Sequence, residues 1–152
     1  MSEHIKEPFL PVLRELARAF QMFEQFSAHH IRQTELTPPQ FDVVATLGNT
    51  PGMTCKELSE KTLITKGTLT GVLDRLADKG IVTRQSLPHD RRSVFIALTE
   101  AGQALFDRTF PAHLAYMRPA FAAFSRADLD RLHDDLNHLR EAFASALEQQ
   151  KS

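Results

Sequence analysis

Two arginines lie side by side in the polar segment Pro88–Arg92, whose sequence is Pro-His-Asp-Arg-Arg. Adjacent guanidinium groups in a short loop do little for folding stability, but they suit the minor groove of DNA, where a narrow groove concentrates negative potential. A carboxylate beside them would oppose binding to a polyanion unless it orients an arginine or fixes the loop. We therefore predict that Arg91 and Arg92 contact DNA and that Asp90 orients this loop; a solvated turn is the alternative.

The segment Lys66–Lys79 has the periodicity of an α-helix with two different faces. Its apolar residues recur every three or four positions and would dock on the domain: Leu69, Val72, Leu73 and Leu76. The other side offers glycines, hydroxyls and a few charges: Gly67, Thr70, Gly71 and Asp74, flanked by Lys66, Thr68 and Arg75. Small residues let a helix approach base edges, and hydroxyls bind bases or phosphates. The pattern predicts a recognition helix for the major groove, the alternative being an ordinary solvated face.

The charge of the chain is unevenly distributed. The formal net charge of the whole sequence is −1, but Lys56–Arg92 contains eight basic and five acidic residues, so this segment has a net charge of +3 and the remainder −4. A basic segment inside an acidic scaffold is typical of a DNA-contacting region, although scattered solvated charges also produce an excess of this size. Charge is therefore consistent with double-stranded DNA as a partner without identifying it.

The remaining polar residues form no pattern typical of catalysis or metal binding. The sequence lacks a glycine-rich phosphate loop, a His-Glu-x-x-His motif and a nucleophile elbow, so we predict no enzyme, no catalytic residue and no cofactor. The neighbours His29 and His30 diverge by about 100° on a helix and cannot chelate one ion together. A site assembled in three dimensions with His113 stays an alternative, but solvated or hydrogen-bonded histidines are favoured, and we predict no metal site.

Cys55 is the only cysteine, which excludes an internal disulfide and suits a reducing cytoplasm. If Thr54 caps a helix, Cys55 is its first residue, where the helix dipole and Lys56 favour a thiolate. A redox-sensing regulator that acts through Cys55 is therefore one alternative function, and a packed or inert thiol is the favoured interpretation. No stretch reaches the roughly 18 apolar residues of a membrane span, and the acidic start does not resemble a secretory signal. We expect a cytoplasmic protein without a membrane partner.

Helix-start and helix-stop signals divide the chain into six predicted helices and one β-hairpin. Capping boxes begin at Thr37, Thr54 and Ser125, and a glycine after Lys79 ends a helix. The first four helices are predicted at about Pro8–Arg32, Pro38–Leu47, Cys55–Lys61 and Lys66–Lys79. A fifth helix starts at Glu100, with interruptions near Pro111 and Pro119, and a sixth contains the last leucines. The β-branched segments Ile81–Leu87 and Ser93–Thr99 predict the hairpin, with the loop at 88–92 between them.

These elements predict a mainly α fold with a small β-hairpin wing, a winged helix-turn-helix. We expect a single domain over residues 1–152, with a DNA-binding lobe at 37–99 and dimerisation helices at 5–32 and 100–150. The last helix has apolar residues in a nearly heptad stripe, assigned to dimerisation: Leu129, Leu132, Leu136, Leu139 and Phe143. Long apolar helices at both ends of a lobe that has its own core require a partner, and a second copy of the chain is the simplest one. Packing on the chain's own domain is the alternative.

Several of these motifs resemble the multiple-antibiotic-resistance regulator (MarR) family. Asp90–Arg92 followed by Leu98-Thr-Glu-Ala-Gly is similar to the Asp-x-Arg…Leu-Thr-x-x-Gly signature of its wing. The helix-turn-helix pattern is matched by Leu58–Glu60, Thr68–Thr70, Leu73–Leu76 and Lys79–Arg84, and the last helix by Leu129–Leu132 with the later leucines. The resemblance extends over the whole chain and includes the order of the elements.

The resemblance implies a six-helix winged-helix homodimer that binds palindromic promoter DNA, usually as a repressor. Small phenolic or other anionic aromatic compounds often bind such proteins between the DNA-binding lobe and the dimer helices and release the DNA. The resemblance assigns Arg92 to the minor groove with Asp90 as its orienting partner, and it places on the major groove Thr65, Lys66, Thr68 and Thr70. Gly71 departs from the arginine that family members often have there. A winged-helix protein-interaction module that does not bind DNA is the rival function.

Overall fold

The computed structural model of the chain describes residues 7–151, except for the side chains of residues 90–92. This part contains six α-helices, one short 3-10 helix and a three-stranded antiparallel sheet. The helices are α1 (Leu10–Ile31), α2 (Pro38–Leu47), α3 (Cys55–Lys61), α4 (Lys66–Asp78), α5 (Glu100–Met117) and α6 (Arg126–Gln149). The strands are β1 (Met53–Thr54), β2 (Val82–Leu87) and β3 (Asp90–Leu98). The predicted winged helix-turn-helix with six helices is confirmed.

The predicted helix starts are confirmed by their hydrogen bonds. Thr37 Oγ1 accepts from the backbone N–H of Gln40, and the Gln40 side chain accepts from the backbone N–H of Thr37. Ser125 forms the same reciprocal pair with Asp128 at the start of α6. Each box satisfies two backbone donors that a helix N-terminus leaves without intrahelical partners. Local sequence therefore determines where α2 and α6 begin.

The sheet has the strand order β1-β3-β2, so the long strand β3 is central. The wing pairs β2 with β3 from Val82 opposite Leu98 to Leu87 opposite Asp90, with a register shift after Ser86. Strand β3 begins at Asp90, so the predicted loop at 88–92 is shorter than expected. The hairpin continues across the register shift, so residues 90–92 belong to β3. The β-propensities of single residues do not predict this continuation, because it depends on the pairing between the two strands.

The core of the lobe lies between α2, α3, α4 and the sheet. Its completely buried residues are Val43, Val44, Leu47, Leu58, Leu69, Leu76 and Ile96. Strand β1 contributes Met53, opposite Ile96 of β3. The sequence does not predict β1, because a two-residue strand has no periodicity of its own and exists only through its pairing with β3.

The Leu-Thr-x-x-Gly segment is a structural joint between the wing and α5. Thr99 Oγ1 donates to the carbonyl of Gly80 at 2.6 Å and accepts from the backbone N–H of Gly102 at 3.0 Å. A Cβ added to Gly102 would lie only 2.1 Å from the carbonyl oxygen of Ile81. Only glycine permits this close approach, so this motif anchors the end of β3 to the first turn of α5.

Helix α5 runs through Pro111, so the predicted interruption there is wrong. Proline removes one backbone donor from a helix, but the turns around Pro111 are held by the buried side chains of Leu105, Phe106 and His113. The chain does leave the α-helical path near Pro119, in the 3-10 helix Arg118–Phe121. Tertiary packing therefore overrides one of the two proline signals.

The described chain forms two compact units, one ending at Tyr116 and the other beginning at Met117. The second unit consists of the 3-10 helix and α6, and none of the 24 residues of α6 is buried. Across residues 7–151, no helix combines the length and the apolar character that crossing a membrane requires.

Candidate DNA-binding surface

The two predicted faces of α4 are confirmed. Its buried side consists of Leu69, Val72, Leu73 and Leu76, and these side chains fasten the helix to the lobe. Every residue assigned to DNA binding in this part of the chain is exposed: Thr65, Lys66, Thr68, Thr70 and Arg75. The hydroxyls of Thr65 and Thr68 lie 3.2 Å apart at the start of the helix. The structure thus presents hydroxyl and cationic groups together on one accessible side.

Gly67 and Gly71 lie one turn apart on this exposed side of α4. A Cβ added at either position would have no described atom within 4 Å. A glycine within a helix costs roughly 0.5–1 kcal/mol relative to alanine, and packing within this chain does not require it at either position. The two glycines leave the surface of α4 flat, as close approach of another molecule requires.

An ion pair connects the recognition helix to the wing. Arg84 of β2 donates to the carboxylate of Asp74 on α4. The periodicity of α4 places Asp74 on the outward side of the helix but does not predict Arg84 as its partner, because the two residues are ten positions apart and belong to different elements. The pair joins the two parts of the lobe that would enter different grooves of DNA.

We expect the Asp74–Arg84 pair to position the wing rather than to stabilise the fold. Both side chains are partly exposed, and such pairs contribute only about 0–1 kcal/mol to stability. Arg84→Ala should therefore leave the melting temperature nearly unchanged and weaken DNA binding severalfold. The same substitution should have a smaller effect in an Asp74→Ala background, where the pair is already absent. A double-mutant cycle of binding affinities measures this coupling. Strictly additive effects would show that the pair does not position the wing.

The three wing residues Asp90, Arg91 and Arg92 belong to the backbone of β3, but their side chains lie outside the described part of the structure. Their roles in binding and orientation therefore stay predictions from the sequence.

Helices α1 and α5 bring two histidines together. The Nδ1 atoms of His30 and His113 are 3.0 Å apart, and His113 Nε2 lies 3.2 Å from the hydroxyl of Ser27. The Tyr116 ring stacks on His30, and the Phe41 ring contacts His113. This arrangement confirms the interpretation of these histidines as hydrogen-bonded. Among the residues with described side chains, no cluster of three or more metal-binding groups occurs.

The His30–His113 contact accommodates only one proton between the two nitrogen atoms. One ring donates and the other accepts, so protonation of both would place two N–H donors against each other. Burial of His113, which is only 6% exposed, lowers its pKa below the ordinary value of 6.5, and the nearby His30 lowers it further.

The lowered pKa of His113 predicts a loss of folding stability in acid. Between the folded-state pKa and 6.5 the unfolded chain binds more protons, so this contribution is complete above about pH 6.5 and decreases as the pH falls. One proton corresponds to a slope of at most about 1.4 kcal/mol per pH unit. Urea unfolding between pH 8 and pH 5 at one protein concentration measures the slope. His113→Gln should reduce it, whereas the control His138→Gln, at an exposed position, should not. An unchanged slope in His113→Gln would contradict the assignment.

Cys55 is half-buried at the start of α3 and packs against the core of the lobe. Thr54 caps the helix, since its hydroxyl accepts from the backbone N–H of Glu57 at 3.1 Å, but in the described structure only this half of the predicted capping box is formed. The packed thiol that the sequence favoured is confirmed.

Apolar side chains assigned to dimerisation are accessible in the single chain. On α6, Leu129 and Leu139 are half-buried, while Leu132, Leu136 and Phe143 are exposed. Helix α1 buries only Ser27 and Ile31, and its large exposed apolar side chains are Val12, Leu13, Phe20, Met22 and Phe23. Several large apolar side chains exposed along one helix are typical of a protein–protein interface.

Several known proteins are similar to this chain in sequence and in fold. The sequence profile of the MarR family matches residues 36–94. The chain is 31% identical over 113 residues to the homoprotocatechuate degradative operon repressor of Escherichia coli, with 74% of each chain covered. It is 30% identical to the transcriptional regulator PA4135. The crystal structure of PA4135 matches this fold with a TM-score of 0.74, over 89% of this chain and 98% of PA4135.

A more distant structure has the same fold. Sco3205, a MarR family transcriptional regulator from Streptomyces coelicolor in complex with DNA, is 22% identical with a TM-score of 0.80, over 93% of this chain and 91% of that chain. The chain has the winged helix-turn-helix fold and an exposed side of α4, and it has relatives of 30% identity or more. The chain belongs to the MarR family of DNA-binding transcriptional regulators.

Proposed function

We propose that this protein is a repressor that binds palindromic promoter DNA as a homodimer. The observation that supports this function best is the side of α4 that the chain leaves free, with open space at Gly67 and Gly71 next to exposed hydroxyls and Lys66. A recognition helix enters the major groove with its N-terminal residues toward the base edges. Repression is supported by the similarity to an operon repressor.

Each DNA-contacting residue has a role that follows from its chemistry. Lys66 would bind a phosphate or a guanine, and the hydroxyls of Thr65, Thr68 and Thr70 would bind bases or phosphates. Arg75, five residues after Thr70 on α4, would bind the phosphate backbone. For the wing, the sequence supports Arg91 and Arg92 as minor-groove contacts oriented by Asp90.

The homodimer is supported by the exposed apolar surfaces of α1 and α6. A two-fold symmetric dimer presents two recognition helices, and two half-sites about 10 base pairs apart would place both on one side of the duplex. In this arrangement residues 37–99 form the DNA-binding lobe, and the segments 5–32 and 100–150 supply the dimer contacts.

We also propose a small aromatic or anionic effector that releases the DNA. The aromatic rings where α1 meets α5 support this, because the stacked rings of His30 and Tyr116 are partly exposed and offer a flat surface for a further aromatic ring. In this function the protein acts in the cytoplasm, without a catalytic step.

A mobility shift with the intergenic DNA upstream of the chain's own reading frame tests the function. We expect a saturable complex that a scrambled fragment does not give, with affinity falling linearly on a log–log plot against salt concentration. Lys66→Ala should weaken the complex and reduce the salt slope by about one unit per subunit. Lys151→Ala is the matched control, since this lysine is exposed but far from the lobe in sequence. Equal affinity for operator and scrambled DNA would instead favour the protein-interaction module.

A further inference from the structure

Leu63 is the most exposed large apolar side chain in the described part of the chain, with 73% of its surface accessible. The other exposed large apolar residues lie at or before Phe23, on α1 and just ahead of it, or at or after Leu114. Between these positions Leu63 stands alone among the described side chains, in the turn that joins α3 to α4. It therefore belongs to neither of the apolar surfaces that support dimerisation.

The exposure of Leu63 does not come from a loose turn. Its backbone N–H donates to the Asp42 carboxylate of α2 at 3.0 Å. The preceding residue, Thr62, is buried, and its hydroxyl donates to the carbonyl of Leu58 at 2.8 Å. The following residue, Ile64, packs against the core. Both neighbours and the backbone are thus fixed, and the turn holds the Leu63 side chain away from the protein.

The turn lies beside the end of α4 that would enter the major groove. Lys66, the first residue of α4, follows Leu63 by three positions, and Gly67 leaves open space next to it. The only apolar group on the floor of the major groove is the C5 methyl of thymine, which apolar side chains contact directly. An apolar side chain held out of the protein at this place matches that group in chemistry and position.

We propose that Leu63 contacts the 5-methyl group of a thymine in each half-site and makes thymine the preferred base there. This inference rests on the proposed function, since it requires specific binding of double-stranded DNA. It adds a determinant of specificity that is apolar and independent of the hydroxyl and cationic residues of α4.

Replacement of thymine by uracil tests the contact, because uracil lacks only the methyl group. We expect one symmetry-related pair of thymines at which uracil weakens binding of the wild type about five- to tenfold. Leu63→Ala should weaken binding to thymine DNA by a similar factor, and uracil at that pair should then have no further effect. Lys66→Ala is the control and should keep the full uracil effect. Leu63→Ala should also leave the salt slope unchanged, because it removes no charge.

The outcomes distinguish this contact from the proposed function itself. Suppose that the wild type binds its operator specifically, but that Leu63→Ala shows the full uracil effect or binds with unchanged affinity. This result would overturn the Leu63 contact and would leave the proposed function intact. A wild type that does not distinguish operator from scrambled DNA would overturn both. Circular dichroism and the melting temperature of Leu63→Ala should match the wild type, since the side chain is exposed in the free protein.

Discussion

The double variant Leu136→Asp/Phe143→Asp is expected to be a monomer and to lose nearly all specific DNA binding. Both side chains lie on α6 and are about half exposed in the single chain, at 49% and 51%, and neither belongs to the buried core, so the substitutions should remove little packing within one chain. In a dimer the same positions would be buried, where an unpaired carboxylate is strongly disfavoured. Sedimentation at micromolar concentration measures the oligomeric state, and circular dichroism checks that the helices are retained.

Loss of the dimer should reduce operator affinity by about 10²–10⁴, because binding of the second half-site is then no longer intramolecular. Asp134→Ala is the matched control: this residue is exposed on the opposite side of α6 and should not change assembly or binding. Truncation after Phe124, which removes all of α6, should reproduce the effect of the double variant. If the intact protein is already monomeric at micromolar concentration, or if the double variant remains a dimer, the proposed dimer contacts are wrong.

Replacement of Arg92 by alanine in both subunits is expected to weaken operator binding and to flatten its salt dependence. The slope of log affinity against log salt concentration should fall by up to about two units, since each lost phosphate neutralisation contributes about one. The loss should be greatest where the DNA flanking the half-sites is rich in A·T pairs, because the minor groove is narrowest and most negative there. Binding isotherms at several salt concentrations on A·T-rich and G·C-rich flanks measure both effects.

Arg108→Ala provides the control for the Arg92 variant, because Arg108 lies on α5, where it forms an exposed ion pair with Glu35. Its removal should leave the affinity and salt slope for operator DNA unchanged. Asp90→Asn should give an intermediate loss of affinity, because it removes the group that orients the arginine and keeps the cation. A folded Arg92→Ala protein with wild-type affinity and salt slope would show that the wing does not contact this DNA, and the assignment would fail at the most specific residue of the family signature.

Local signals in the sequence were sufficient for the starts of the capped helices and for the two sides of α4. Thr37 with Gln40 and Ser125 with Asp128 use hydrogen bonds that span three residues, so the segments themselves contain all the information for these helix starts. The period of the leucines on α4 likewise separates a buried side from an exposed one without knowledge of any neighbour. The exposed positions of the predicted DNA contacts on α4, from Lys66 to Arg75, follow directly from this period.

Tertiary structure alone decided the features that depend on residues distant in the chain. Strand β1 exists through its pairing with β3, more than 40 positions away, and packing carries α5 through Pro111 against its local tendency. The His30–His113 contact joins residues 83 positions apart, so no spacing rule within one helix could predict it. Asp74 has a partner only because β2 of the wing brings Arg84 next to it. Leu63 is held in its exposed position only because Asp42 of α2 binds its backbone N–H. The physical reason is the same in each case: long-range contacts are set by how the elements pack together, and the energy of that packing exceeds the small local propensities that a single sequence displays.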